Sequence, residues 1–175
     1  MEKLFRRPIL RVIPVALVLI AFQRTAFEDV QPFGVKVQIV LAFCAAAGVP
    51  GGAERGAWLG FVVGVMYDLG TAAPLGQHAL AYGLAGFTGG MVNAIAVDPH
   101  WWLKLIFVAA GGAVGEFTVP VVDTFVSSSG GWQGQRLGRI LPVIAITSAL
   151  LSFAFTPVGR WCLAIRKKTW KPRNQ

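Results

Sequence analysis

The chain has 175 residues, 55% of them hydrophobic and 14% charged, against about 25% charged in a soluble protein, and its mean hydropathy is +0.61. Its length suits one domain, and its 21 glycines would weaken a soluble all-α protein but suit membrane helices, which associate at small residues. The formal net charge of +8 gathers near the two ends, so the middle offers no basic surface with which to read nucleic acid. Residues 1–175 are therefore expected to form a single integral membrane domain. Its fold class would be an all-α polytopic helix bundle with short basic termini.

Lys3, Arg6, Arg7 and Arg11 precede an apolar run from Val12 to Phe22. A cleaved signal peptide has that order, but no A-x-A-like site follows and more apolar segments come later. A retained first helix near residues 8–27, bent at Pro14, is expected. The polar stretch Arg24 to Pro32, with Glu28 and Asp29, leads to a second span over about 34–49, where Lys36 can snorkel to an interface. Pro50-Gly51-Gly52 then breaks the chain.

The third span, about 56–70, reads GAWLGFVVGVMYDLG, with Gly56, Gly60, Gly64 and Asp68 every four residues. On a helix that spacing draws one stripe. Three glycines remove its side chains and let another backbone approach closely. A carboxylate ends it, and an ionisable group within such a segment costs about 2.5–3.5 kcal/mol unless it has a partner or a wet cavity. The span is shorter than the roughly 20 residues that a straight crossing wants. Thr71 to Gly76 is a tight turn holding Pro74.

The fourth span, about 77–97, carries a second small-residue face in Gly83, Gly86, Gly89 and Gly90. Asp98-Pro99-His100 ends it, and Trp101 and Trp102 mark an interface. The fifth, about 103–126, holds Gly111, Gly112, Gly115, Glu116, Pro120 and Asp123. Glu116 and Asp123 lie seven apart on one face and could line a polar crevice toward Asp68. Ser127 to Arg139 reads as a flexible polar loop. A sixth span over about 140–155 precedes Pro157 and a tail with Arg166, Lys167, Lys168, Lys171 and Arg173. That tail suits anionic lipid or a cytoplasmic partner.

Six spans put both termini on one side. Lys3, Arg6, Arg7, Arg11, Arg55, Lys104, Arg160 and the five basic residues of the tail fall there, against Arg24, Lys36, Arg136 and Arg139 opposite. The excess predicts cytoplasmic termini; five spans are the alternative. Cys44 and Cys162 form no CxxC pair. His78 and His100 sit at opposite ends of one predicted helix, which does not favour a metal site. No serine–histidine pair or phosphate-binding glycine loop appears. No cofactor and no enzyme activity are expected.

Gly60 to Gly76 reads G-F-x-x-G-x-x-x-D-L-G-x-x-x-P-L-G, followed by His78-Ala79-Leu80 and Tyr82. This segment of about 25 residues resembles the MreD family of rod shape-determining membrane proteins. Gln23-Arg24-Thr25 is similar to the Q-x-T/S that often closes that family's first helix. The length, basic start and basic tail also fit, whereas Glu116 and Asp123 have no match in the family pattern. The resemblance implies a multi-pass protein of the bacterial cytoplasmic (inner) membrane, with no chemistry of its own. Its implied partners are MreC, RodA with a class B penicillin-binding protein, and MreB filaments. The family is also distantly similar to the S components of energy-coupling-factor vitamin transporters, which makes a substrate-binding transporter subunit the alternative.

For the glycine stripe, internal packing and a docking face for a partner's helix are both open. The reading taken forward is docking by Gly60, Gly64 and Asp68, with Pro74 and Gly76 setting the turn. Asp68 is then a partner contact, a structural carboxylate or the wall of a ligand cavity.

Overall fold

The computed structural model describes residues 2–25, 34–71, 74–96, 99–126 and 137–165, with side chains from Leu10 onward in the first segment. The described residues form helices and turns, with no strand among them. The helices are α1 (Glu2–Thr25), α2 (Ile39–Gly51), α3 (Ala53–Leu69), α4 (Gln77–Gly90), the single turn α5 (Val92–Ile95), α6 (Trp101–Val126) and α7 (Leu137–Cys162). Two of them, α6 and α7, are long and apolar enough to cross a membrane.

The centre of the bundle is α2. Every residue from Ile39 to Val49 is buried. A helix that is apolar all round belongs inside a bundle, and here Ala42, Cys44, Ala45, Ala46, Ala47 and Gly48 keep it thin. Helices α4 and α7 can therefore come close. A Cβ on Gly48 would overlap the Gly86 carbonyl of α4, and one on Gly159 of α7 would overlap Ala47. Around this axis the chain runs up and down. Side-chain contacts place the ends of α1 and α3 beside the starts of α2 and α4. Arg11, in the first half of α1, reaches Trp161 near the end of α7. The path makes six traverses of the bundle, with α4 and α5 sharing one.

The first, third and last helices start earlier than expected, at Glu2, Ala53 and Leu137; three other boundaries differ for a local reason. The second helix starts at Ile39, not near residue 34, because Val35 to Gln38 run in an irregular lead-in with Val35 and Val37 buried. The fourth stops at Gly90. Met91 makes a turn and Asn93 of α5 donates to the Val49 carbonyl at 2.6 Å. The sixth continues through Pro157 to Cys162. Gly159 and Cys162 are buried there, so packing on α2 carries the helix past a residue that removes one backbone donor.

The outer faces are apolar as well. Leu17, Val18 and Phe22 on α1, Leu80, Leu84 and Phe87 on α4, Ile106 and Phe117 on α6, and Ile146, Leu150 and Phe153 on α7 are all exposed. On α1 the buried set Val12, Ala16 and Ile20 repeats every four residues, so a single stripe seats it on the bundle.

Candidate functional site

The expected stripe forms the seam between α3 and α4. Gly56 faces Gly86, Gly60 faces the Tyr82 carbonyl, and Gly64 faces the His78 carbonyl and Ala79. As one partner advances by four residues, the other retreats by four, as antiparallel helices require. A Cβ at any of these three glycines would overlap backbone atoms of α4. The docking reading for Gly60 and Gly64 is corrected by this geometry. The chain's own fourth helix fills the groove, and both glycines are buried.

One step further along the stripe stands Asp68, where α4 begins. The first backbone N–H groups of a helix have no carbonyl partner within it. Gly76 occupies the cap position of α4 in a left-handed conformation with φ 102°, and as glycine it brings no capping side chain. Asp68 supplies the cap from the neighbouring helix. Its Oδ2 accepts from Gly76 N at 2.8 Å and Ala79 N at 3.2 Å. Its Oδ1 accepts from His78 N at 3.1 Å and lies 2.7 Å from His78 Nδ1. The acid also sits at the positive end of the α4 dipole. Its side chain is fully buried. Pro74 contributes a carbonyl that accepts from Gln77 N at 3.2 Å, which closes the turn.

A second layer of polar groups surrounds this cap. The Tyr67, His78 and Tyr82 rings pack together, with centroids 4.7 to 5.5 Å apart. Gln23 of α1 donates to the Tyr67 hydroxyl at 3.2 Å, and its oxygen accepts from Val40 N at 2.9 Å. It thus satisfies an orphan donor in the first turn of α2. Gln38 donates through Nε2 to Glu116 Oε2. Gln77 donates to the Val119 carbonyl at 3.1 Å. Arg24 donates to the Gly70 carbonyl, which ties the end of α1 to the end of α3.

The fifth-helix acids therefore play different parts from the expected crevice. Glu116 is half-buried against Gln38, while both Asp68 oxygens are taken up by α4. No hydrogen bond links the two acids. Asp123 is half-buried too, one turn beyond Pro120. Arg166, Lys167, Lys168 and Lys171 lie outside the described residues. Sequence reasoning missed Gln23 and Gln38 as structural groups. Their signal was present: each is a lone amide at the edge of an apolar run.

The described residues hold no group of three His, Cys, Asp or Glu side chains arranged to take a metal. Comparison of the chain with protein families, with curated proteins and with solved structures found no match.

Proposed function

We propose that this protein is a non-enzymatic scaffold of the bacterial inner membrane, with a role like that of MreD in cell-wall elongation. It would bind MreC and help position RodA and a class B penicillin-binding protein relative to MreB filaments. The membrane part of the reading is supported by two long apolar helices and by apolar side chains on the outside of nearly every helix. A soluble protein rarely exposes so much apolar surface without a covering. The choice of partners comes from the resemblance around Gly60 to Gly76.

One observation favours a scaffold over a solute-binding subunit. The carboxylate of Asp68, the acid at the centre of the resembling motif, makes its hydrogen bonds to the start of α4 and has no exposed surface. A transporter's ligand-binding acid would turn at least one oxygen toward the ligand. Here the motif reads as the closure of a helix pair, which makes a rigid body for other proteins to rest on.

The experiment is affinity purification of the tagged chain from its native membranes in mild detergent. Recovery of MreC from the same cells, and rounding of rod-shaped cells on depletion, are the expected results. A small polar compound retained in place of protein partners would favour the transporter subunit. Gly60→Leu and Gly64→Leu are unsuitable docking variants, because each inserts a side chain into the α4 backbone.

A further inference from the structure

We infer that the cleft between α1 and α3 is a binding site for one acyl chain of an anionic phospholipid. The inference rests on the membrane reading above. Helix α1 leans across the bundle. At its end it is fastened to α3 by Gln23–Tyr67 and Arg24–Gly70. Toward its start it leaves α3 for α7, where Arg11 donates to the Trp161 carbonyl at 3.4 Å and lies over the Trp161 ring. The two helices therefore part, and the space between them is lined by Ile13, Phe61, Val62, Val65 and Met66. Its volume is about 400 Å³ and its lining is wholly apolar, which suits a single hydrocarbon chain.

The lining speaks against a partner's helix as occupant. Helices associate in lipid where small residues let backbones approach. None of the five lining residues is small, whereas the small-residue faces of α3 and α4 are already used on each other. A flexible chain can thread between bulky side chains that would hold a helix away.

Charge selects the headgroup. The end of the bundle nearest the start of α3 carries Arg11, Arg55 and Arg160 against one acid, Glu54. Arg55 lies in the first turn of α3, two turns before Val62 and on the same face, and its side chain is exposed. Trp58, one turn on, is exposed and stands edge-on to Phe61 with centroids 6.3 Å apart. An indole at that level marks the boundary between hydrocarbon and headgroup. A chain lying on Phe61 to Met66 would bring its phosphate to Arg55.

The test uses the full chain extracted from its own membranes in mild detergent. Mass spectrometry should find phosphatidylglycerol or cardiolipin retained through washing. Val62→Trp, which fills the cleft, should lose most of that lipid, while Ile146→Trp on the outer face of α7 should keep it. Arg55→Gln should reduce the preference for phosphatidylglycerol over phosphatidylcholine about fivefold, one basic group's share of the attraction. Phosphatidylglycerol added to stripped wild-type protein should raise its melting temperature, with phosphatidylcholine giving a smaller rise; this arm stands even if Val62→Trp fails to fold. Equal retention by wild type and a folded Val62→Trp overturns the site, as does equal stabilisation by the two lipids. A photo-crosslinker at Val65 that captures protein in place of lipid also overturns it. Carbonate extraction reports separately on the premise: a chain released from membranes ends the membrane reading, and an inserted chain without lipid ends only the site.

Discussion

Asp68 matters to this protein through the three backbone N–H groups it receives. It is a helix cap delivered from another helix, and Gly76 presents its N–H to it from a left-handed conformation, φ 102°, that glycine adopts without strain. Removing a cap costs about 0.5–2 kcal/mol, and stranding buried donors adds to that. Asp68→Ala should therefore destabilise the protein by about 1–3 kcal/mol, read as an earlier midpoint when the purified protein is heated in detergent. Asp68→Asn keeps one acceptor oxygen and turns an NH2 group toward backbone donors, so its midpoint should fall between the two. Wild-type midpoints for both variants would show that α4 does not need this cap. The glycines allow a sharper contrast. Gly83 has ordinary space around a Cβ, the nearest atom being the Ala57 carbonyl oxygen at 3.5 Å, whereas Gly60 meets the Tyr82 backbone. Gly83→Ala should be neutral or slightly stabilising, since alanine is the better helix former by about 1 kcal/mol. Gly60→Ala should cut the yield of folded protein recovered from membranes, and equal yields would mean that the α3–α4 seam can open without cost.

At the scale of elements, the seam shows what could be read in advance. Gly56, Gly60, Gly64 and Asp68 announce a close-approach face by spacing alone. Gly86, Tyr82 and His78 keep the same spacing along the next apolar segment, so the face that meets the stripe is legible in the sequence too. What the spacing could not reveal was that the two faces belong to each other, because a small-residue stripe accepts an internal or an external helix equally well. Once they pair, the acid's role follows from register. The start of α2 was harder to read. Residues 34–49 look like one apolar run, yet the chain enters the bundle irregularly and becomes helical only at Ile39. That is possible because Gln23, from another helix, satisfies Val40 N. Gln23→Leu preserves size and removes both of its hydrogen bonds. It should cost about 1–3 kcal/mol through the stranded N–H, and it should loosen α1 in particular. Amide exchange in the first turn of α2 should quicken more than in α6. Uniform exchange across the bundle would assign Gln23 no special part in seating α1.

For the whole molecule, length and shape must be reconciled with the membrane reading. At about 1.5 Å per residue, the 13 residues of α2 and the 14 of α4 span about 20 Å each, short of a hydrocarbon core of about 30 Å. Irregular chain extends both: Val35 to Gln38 lead into α2, and Met91 with α5 follows α4. Non-helical backbone at membrane depth is tolerated where protein buries it, and Val35, Val37 and Val92 are buried. The shortest of these, α2, is buried on every side, while the longer α1, α6 and α7 lie on the outside with α4. The six traverses thus remain compatible with a crossing at each pass.

That path makes a prediction about sidedness that does not depend on any partner. Arg11 touches Trp161, so the start of α1 and the end of α7 share one end of the bundle. Arg55, at the start of α3, and Lys104, at the start of α6, lie at that end by the alternation of the helices. Lys3, Arg6 and Arg7 precede Arg11 in the chain, and Arg166, Lys167, Lys168, Lys171 and Arg173 follow α7. The opposite end carries Arg24, Lys36 and Arg139 together with Asp68, Glu116 and Asp123. Basic residues in short connections stay on the cytoplasmic side. A fluorescent protein that matures only in the cytoplasm, fused after Gln175, should therefore glow, and alkaline phosphatase at the same place should be inactive. A cysteine at Leu75, exposed in the turn that Asp68 closes, should react with an impermeant maleimide applied from outside intact inner-membrane spheroplasts. The two buried native cysteines, Cys44 and Cys162, should give little background. Active phosphatase at the C-terminus, with Leu75→Cys protected, would invert the arrangement and detach the basic ends from the cytoplasmic partners proposed for them.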